Sequence, residues 1–262
     1  MQNQYLQLLV ILFFITSCDK ISEENTCTKN NLAYRSLKST LAEYIDQSKE
    51  DSKKSSSLGS VSNGKLLNGK LFPFYGNNFQ YFDTLSYLHH RAYTHQLVRK
   101  TLIDTYNELE HLYPNKTFFV MELSNKEGGK IFPHRTHQNG LSVDLMSPKL
   151  KKGKANSDLD NLGQLHYLLE FDQNGILKKN RDYSIDFNLI SHHLLLLDKN
   201  AKKNQLKIKK VIFKKELKDE LYASQYGTSL KSSNIYITKN LPSYINDLHD
   251  DHYHIDFSFI TD

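Results

Sequence analysis

HDDHYHIDFSF, residues 249–259, sets three histidines and three aspartates in its first eight positions and then turns apolar. From His252 the residues alternate. His252, His254, Asp256 and Ser258 fall on one side of an extended chain, and Tyr253, Ile255, Phe257 and Phe259 on the other. Such alternation predicts a strand whose apolar face feeds a core while its opposite face presents both imidazoles. His249 stands just off this strand.

A second window, HRTHQNGLSVDLM, residues 134–146, has the same texture. Asn139-Gly140 predicts a turn, and LSVDLM then sets Ser142 and Asp144 against Leu141, Val143 and Leu145. His137 and Asp144 therefore flank a turn from which both side chains can converge on one ion. With His254 they supply two nitrogens and one carboxylate oxygen, leaving a fourth position for water, as in catalytic zinc sites. Two cysteines are too few for a Cys-rich structural site. A zinc ion lowers the pKa of its water to about 7 and polarises a carbonyl, and a nearby base must then accept the proton. No HExxH is present to supply a helical glutamate. His252, two residues before His254 on the same face, is the best-placed general base or oxyanion stabiliser. His134 and His249 are candidates to orient water or substrate, or alternative ligands.

The remaining histidines read differently. His192-His193 lies in an amphipathic helix and reads as surface or packing, His89-His90 stands in no comparable metal-ligand motif, and His95 starts a helix.

The rest of the chain predicts a mixed α+β domain with a largely antiparallel central sheet flanked by helices. Asn63-Gly64 and Asn68-Gly69 mark tight turns at its beginning. THQLVRKTLIDTYNELEHLYP places Leu97, Thr101, Leu102, Tyr106, Leu109 and Leu112 near one helical face, ended by Pro114. TFFVMEL reads as a buried strand, DFNLISHHLLLLDKN as a second helix, LKIKKVIFK as a strand, and KELKDELYASQYG as a third helix stopped at Gly227. ELSNKEGGKIFP, with Gly128-Gly129, reads as a flexible rim of a groove.

Composition narrows the function. The chain has 262 residues, 39% of them hydrophobic, enough for one sizeable core. The net charge of +5 comes from scattered lysines rather than an arginine-rich block, which argues against nucleic acid and fits a solvated surface or an anionic polymer.

YLQLLVILFFITSC, ending at Cys18, has the shape of a signal peptide, and ITSC resembles a lipobox whose cysteine takes a lipid. Lipidation of Cys18 leaves Cys27 without an intramolecular partner. The expected organisation is a lipoprotein signal peptide over residues 1–17, a polar tether with a short helix over 18–56, and a folded domain over 57–262. The lipid would place the protein outside the cytoplasm on a membrane face, anchored through Cys18.

H-x6-D with a distant H-x-H resembles the zinc peptidases that include lysostaphin-like enzymes and D-alanyl-D-alanine carboxypeptidases. HRTHQNGLSVDLM together with HDDHYH is similar to the penicillin-insensitive murein endopeptidases, whose motifs run H-x-S-H-Q-x-G-L-x-x-D and H-x-x-H-x-H. The likeness extends over roughly Leu58–Phe259. It takes in SLGSVSNGKLLNGKLFP as the opening segment, AYTHQLVRKTLIDTYNEL as a first helix, and SIDFNLISHHLLLL with IKKVIFKKEL as a later helix and strand.

The resemblance implies that residues 57–262 are a zinc peptidase domain on the periplasmic side of the bacterial cell envelope, a hydrolase of peptidoglycan cross-link peptides at D-alanyl bonds. It implies zinc on His137, Asp144 and His254, with His134 a further candidate ligand, His252 the catalytic histidine and His249 its active-site companion. Thr136 stands where the family has serine and keeps the hydroxyl. An Asp-Gly-x-His segment tied to a second metal is missing, since FDQNGILKKNRDYSID offers Asp172 and Asp182 without histidine, so one zinc ion is expected. The same ligands would also serve a D-alanyl-D-alanine carboxypeptidase trimming stem peptides. A catalytically silent wall-binding lipoprotein is the reading from a different class.

Overall fold

The computed structural model describes residues 38–260. The expected signal segment, Cys18 and Cys27 lie outside the described residues. Two compact units divide the chain, Met1–Gln47 and Ser48–Asp262. In the first, residues 38–47 form an α-helix. The second takes in the last residues of the polar segment. Glu50 accepts from the Leu71 amide at 3.1 Å and pairs with Arg99, and Asp51 meets the Lys70 ammonium. Among the described residues no helix is long and apolar enough to cross a membrane.

Strands β1 (Ser56–Ser60) and β2 (Asn63–Leu67) form a hairpin around Val61-Ser62. The expected turn at Asn63-Gly64 is thus two residues too late. Gly64 instead sits across from Gly59, where an added Cβ would come within 2.4 Å of the Ser60 carbonyl, so glycine serves close backbone approach. Asn68, at φ 50, does turn the chain into β3 (Lys70–Leu71).

The central sheet carries the site. It is built from β4 (Phe79–Tyr81), β6 (Phe118–Val120), β7 (Ser142–Met146), β11 (Leu206–Ile212) and β12 (His252–Phe259), in the order β11-β12-β7-β6-β4. Only the β4–β6 pair is parallel. The fold is therefore α+β with a mostly antiparallel sheet, as expected. Short strands complete the unit: β5 (Tyr93–Thr94) beside β3, and β8 (Lys149–Lys151) between β9 (Lys154–Asn156) and β10 (Tyr183–Ile185).

Two long helices line the core. Gln96–Leu112 is capped by His95, whose Nδ1 accepts from the Leu97 amide, and Phe187–Lys203 is capped by Asp186, which accepts from Leu189. The buried stripe of the first is Val98, Thr101, Leu102, Thr105, Tyr106 and Leu109. Leu97 is half-buried and Leu112 exposed, so the stripe is rotated from the expected one. Thr105 can be buried because its hydroxyl donates to the Thr101 carbonyl at 2.7 Å, which removes the cost of a hidden polar group. His193 of the second helix is buried, and its Nδ1 meets the Tyr253 hydroxyl at 2.6 Å on the apolar face of β12. Gly227 begins the helix Gly227–Ser232 rather than ending the one before it, Lys218–Ala223.

Asp160 holds two buried ammonium groups, Lys116 and Lys149, each at 2.9 Å. Removing the carboxylate leaves two uncompensated cations in a poorly solvated place. Asp160→Asn is expected to cost about 3–5 kcal/mol of folding stability, read as a lower urea midpoint at unchanged slope.

Candidate active site

The antiparallel pairing of β7 with β12 sets His254 directly across from Asp144, Asp256 across from Ser142, and His252 across from Met146. Directly opposed side chains on one face are close enough to interact, so the register itself joins the two sequence windows. His254 Nδ1 lies 2.7 Å from Asp144 Oδ1. The third member arrives from the turn before β7. His137 is fully buried with φ 65, a left-handed conformation rare for a residue with a Cβ. Its Nε2 stands 3.0 Å from His254 Nδ1 and 3.2 Å from Asp144 Oδ1. Backbone strain of this kind clusters at functional sites, where the surroundings hold it in place.

Three donor atoms thus converge at 2.7–3.2 Å. Ligands about 2.0–2.1 Å from a tetrahedral ion stand roughly 3.3 Å apart, so this cluster is close to the size an ion requires. His134 Nδ1 faces the other carboxylate oxygen, Asp144 Oδ2, at 3.4 Å. Ligating atoms of His134, His137 and Asp144 lie within 4.8 Å of one another, a group that can hold a metal ion. Among the described residues, Asp144 Oδ2 is buried without a hydrogen-bond partner and faces His134 Nδ1, which leaves a carboxylate oxygen on the His134 side of the cluster able to bind an ion.

The electrostatics agree. Burial works against the Asp144 carboxylate, but His137 and His254 outweigh it and hold the group well below the usual range. Burial also opposes a charged His254, yet Asp256 and Asp144 raise it to about 9. His134 is driven far down by burial, and His249 to about 3 by burial and the neighbouring His252. Both are therefore neutral imidazoles near pH 7, with a lone pair available.

The structure brings His249 and His252 to the same place. The His249 ring centroid lies 4.8 Å from that of His252 and 6.3 Å from that of His254, and His249 Nδ1 donates to the Ile245 carbonyl at 2.6 Å. His252 Nδ1 lies 2.7 Å from Asp251 Oδ1. Burial lowers His252, and the adjacent Asp251 carboxylate reverses this and raises it.

Two aspartates of the C-terminal window have roles that residue spacing did not reveal. Asp256 Oδ1 lies 2.7 Å from His254 Nε2 and accepts from the Ser142 hydroxyl at 2.7 Å, while Oδ2 meets Lys210 Nζ at 2.8 Å. It sits on the same strand face as His254, so alternation was the available signal. Asp250 does not face the cluster. It takes the Phe171 amide and the Lys214 ammonium, both at 3.0 Å. The Gly128-Gly129 rim is only partly free: Gly128 is bridged to Lys65 of β2, and an added Cβ would meet the Gln138 carbonyl at 2.2 Å.

A family model described as penicillin-insensitive murein endopeptidase matches residues 57–260. The chain belongs to this family. No curated protein sequence is a significant match. Membership makes the chain a peptidase of murein, and the murein endopeptidase family implies peptidoglycan as substrate and a cell-envelope location. The half-buried His134 and the buried His137 and Asp144 are consistent with a metallopeptidase of that family.

Asp256 also yields a measurable consequence. A carboxylate on the far nitrogen of a ligating imidazole fixes its tautomer and orientation. With His254 as a metal ligand, Asp256→Ala is expected to weaken metal binding about 10–100-fold, read by titration against a competing chelator.

Proposed function

We propose that the protein is a zinc-dependent endopeptidase that hydrolyses D-alanyl cross-links of peptidoglycan, held at the periplasmic face of a membrane by a lipid on Cys18. The observation that carries this reading is the convergence of His137 Nε2, Asp144 Oδ1 and His254 Nδ1 within 2.7–3.2 Å inside a murein endopeptidase domain.

In this reading His137, Asp144 and His254 hold one zinc ion, and His134 stands beside Asp144 as a fourth donor or as a water-orienting group. When bound, the ion supplies an activated water and a polarised carbonyl. Asp144 contributes the negative charge that favours a cation, and Asp256 turns the correct nitrogen of His254 toward it. His252 takes the proton of the attacking water at Nε2 and delivers it to the leaving amine, working as base and then as acid. Asp251 favours the cationic form of His252 between these steps. His249, neutral and donating through Nδ1–H to the Ile245 carbonyl, presents Nε2 as an acceptor that can orient the attacking water.

Metal uptake should depend on pH. His254 at about 9 is protonated in the metal-free protein at neutral pH, and a ligating imidazole must be neutral. Affinity for zinc is therefore expected to rise about tenfold per pH unit up to about pH 9. Calorimetry in two buffers of different ionisation enthalpy should detect release of a proton. The stabilisation that His254 gives the metal-free fold has the opposite trend. It is complete below the unfolded value near 6.5 and is lost as pH rises through about 9.

Products decide the substrate. Purified protein on cross-linked muropeptide dimers should yield monomers. Release of free alanine from uncross-linked pentapeptide stems, with dimers left intact, would make the protein a carboxypeptidase instead.

A further inference from the structure

The segment between the two sequence windows contributes to the site through a histidine that no motif marks. Gly163–Leu168 forms a 3₁₀ helix, GQLHYL, and its His166 is fully buried. His166 Nδ1 lies 2.7 Å from Asp251 Oδ2, while Asp251 Oδ1 lies 2.7 Å from His252 Nδ1. One carboxylate thus bridges two imidazoles, one oxygen to each. The next residue, Tyr167, sets its ring at 90° to that of His252, with centroids 5.4 Å apart.

Chemistry fixes the direction of these bonds. Asp251 is buried, but His252 and His166 keep its carboxyl ionised far below the usual range, so it can only accept. Both Nδ1 atoms must then carry hydrogen. Among the described residues the hydrogen bond of the His252 ring runs through Nδ1, which leaves Nε2 to an entering group. His166 stays neutral because burial and the Lys149 ammonium both disfavour its cation. Asp251 therefore keeps its full negative charge for His252. Its backbone is tied too, since the Asp251 carbonyl accepts from the Ser147 amide at 3.0 Å and Lys149 Nζ donates to the Ser147 carbonyl at 3.0 Å.

We propose that Asp251 and His166 are positioning residues that lock His252 in its Nδ1–H tautomer, with Tyr167 packing the ring edge-to-face so that Nε2 is the nitrogen that handles the proton. The inference rests on the reading of His252 as the proton carrier. It adds that the carrier is held by a line of three residues from two distant segments. A carboxylate behind an imidazole sets tautomer and orientation in the same way in serine hydrolase triads.

The test combines ¹⁵N–¹H NMR of the histidine rings in the metal-loaded full chain with kinetics on muropeptide dimers. Asp251→Asn offers an amide that can donate to Nδ1. It should shift His252 toward the Nε2–H tautomer and lower kcat on the order of 10³-fold, at unchanged metal content and nearly unchanged KM. His166→Leu should loosen the tautomer preference and lower kcat about tenfold. His166→Asn, whose amide nitrogen falls near the Nδ1 position, should restore part of that loss. A wild-type tautomer and kcat in folded Asp251→Asn, or equal activity of His166→Leu and wild type, would overturn the proposal. The NMR reading requires no turnover. A wild-type enzyme that leaves dimers intact while His252 still shows the Nδ1–H tautomer would sink the endopeptidase reading and spare this one.

Discussion

His254→Ala is expected to strip the protein of its metal and to abolish turnover. The imidazole stands at the centre of the cluster, 2.7 Å from Asp144 Oδ1, 3.0 Å from His137 Nε2 and 2.7 Å from Asp256 Oδ1. Its loss leaves two side chains where three converge, and it also removes the imidazole that bridges the carboxylates of Asp144 and Asp256. Metal content should fall from one ion per chain to near zero after dialysis. Activity should fall by at least ~10³-fold, because the ion contributes several kcal/mol of transition-state stabilisation and each 1.36 kcal/mol is about tenfold. Element analysis and circular dichroism on the same sample separate metal loss from unfolding. A folded variant that keeps its ion would move the third ligand to His134, whose Nδ1 is 3.4 Å from Asp144 Oδ2.

The contrasting result is expected for His252→Ala. His252 touches Asp251 and the rings of His249 and Tyr167 but lies outside the converging donors. The variant should keep its metal and lose turnover by about 10²–10⁴-fold, the usual contribution of a positioned acid–base group. KM should change little. The split between the two variants is what assigns His254 to the ion and His252 to the proton. Loss of metal in both would merge the roles.

Much of this site was legible because it is built on strands, where side-chain direction follows from sequence parity. The alternation over 252–259 placed His252, His254 and Asp256 on one face, and that over 141–145 placed Asp144 on a matching one. The cross-strand register then does the rest. What spacing could not give was contact between segments. His166 reaches Asp251 across 85 positions from a short 3₁₀ helix with no periodicity of its own. Asp251 precedes the strand, where parity no longer fixes direction. The same limit explains the rotated stripe on Gln96–Leu112: Thr105 reads as polar in sequence, and only its bond to the Thr101 carbonyl lets it sit inside. Asn63-Gly64 misled for a related reason, since its glycine serves a close approach between strands rather than a turn.

The most direct measurement is digestion of purified cross-linked muropeptide dimers by the purified protein, before and after chelation and after stoichiometric zinc is returned. The account predicts conversion of dimers to monomers, its loss with the chelator, and its recovery with zinc in wild type but not in His254→Ala. Dimers that stay intact with zinc present, or cleavage that the chelator leaves untouched, would contradict it.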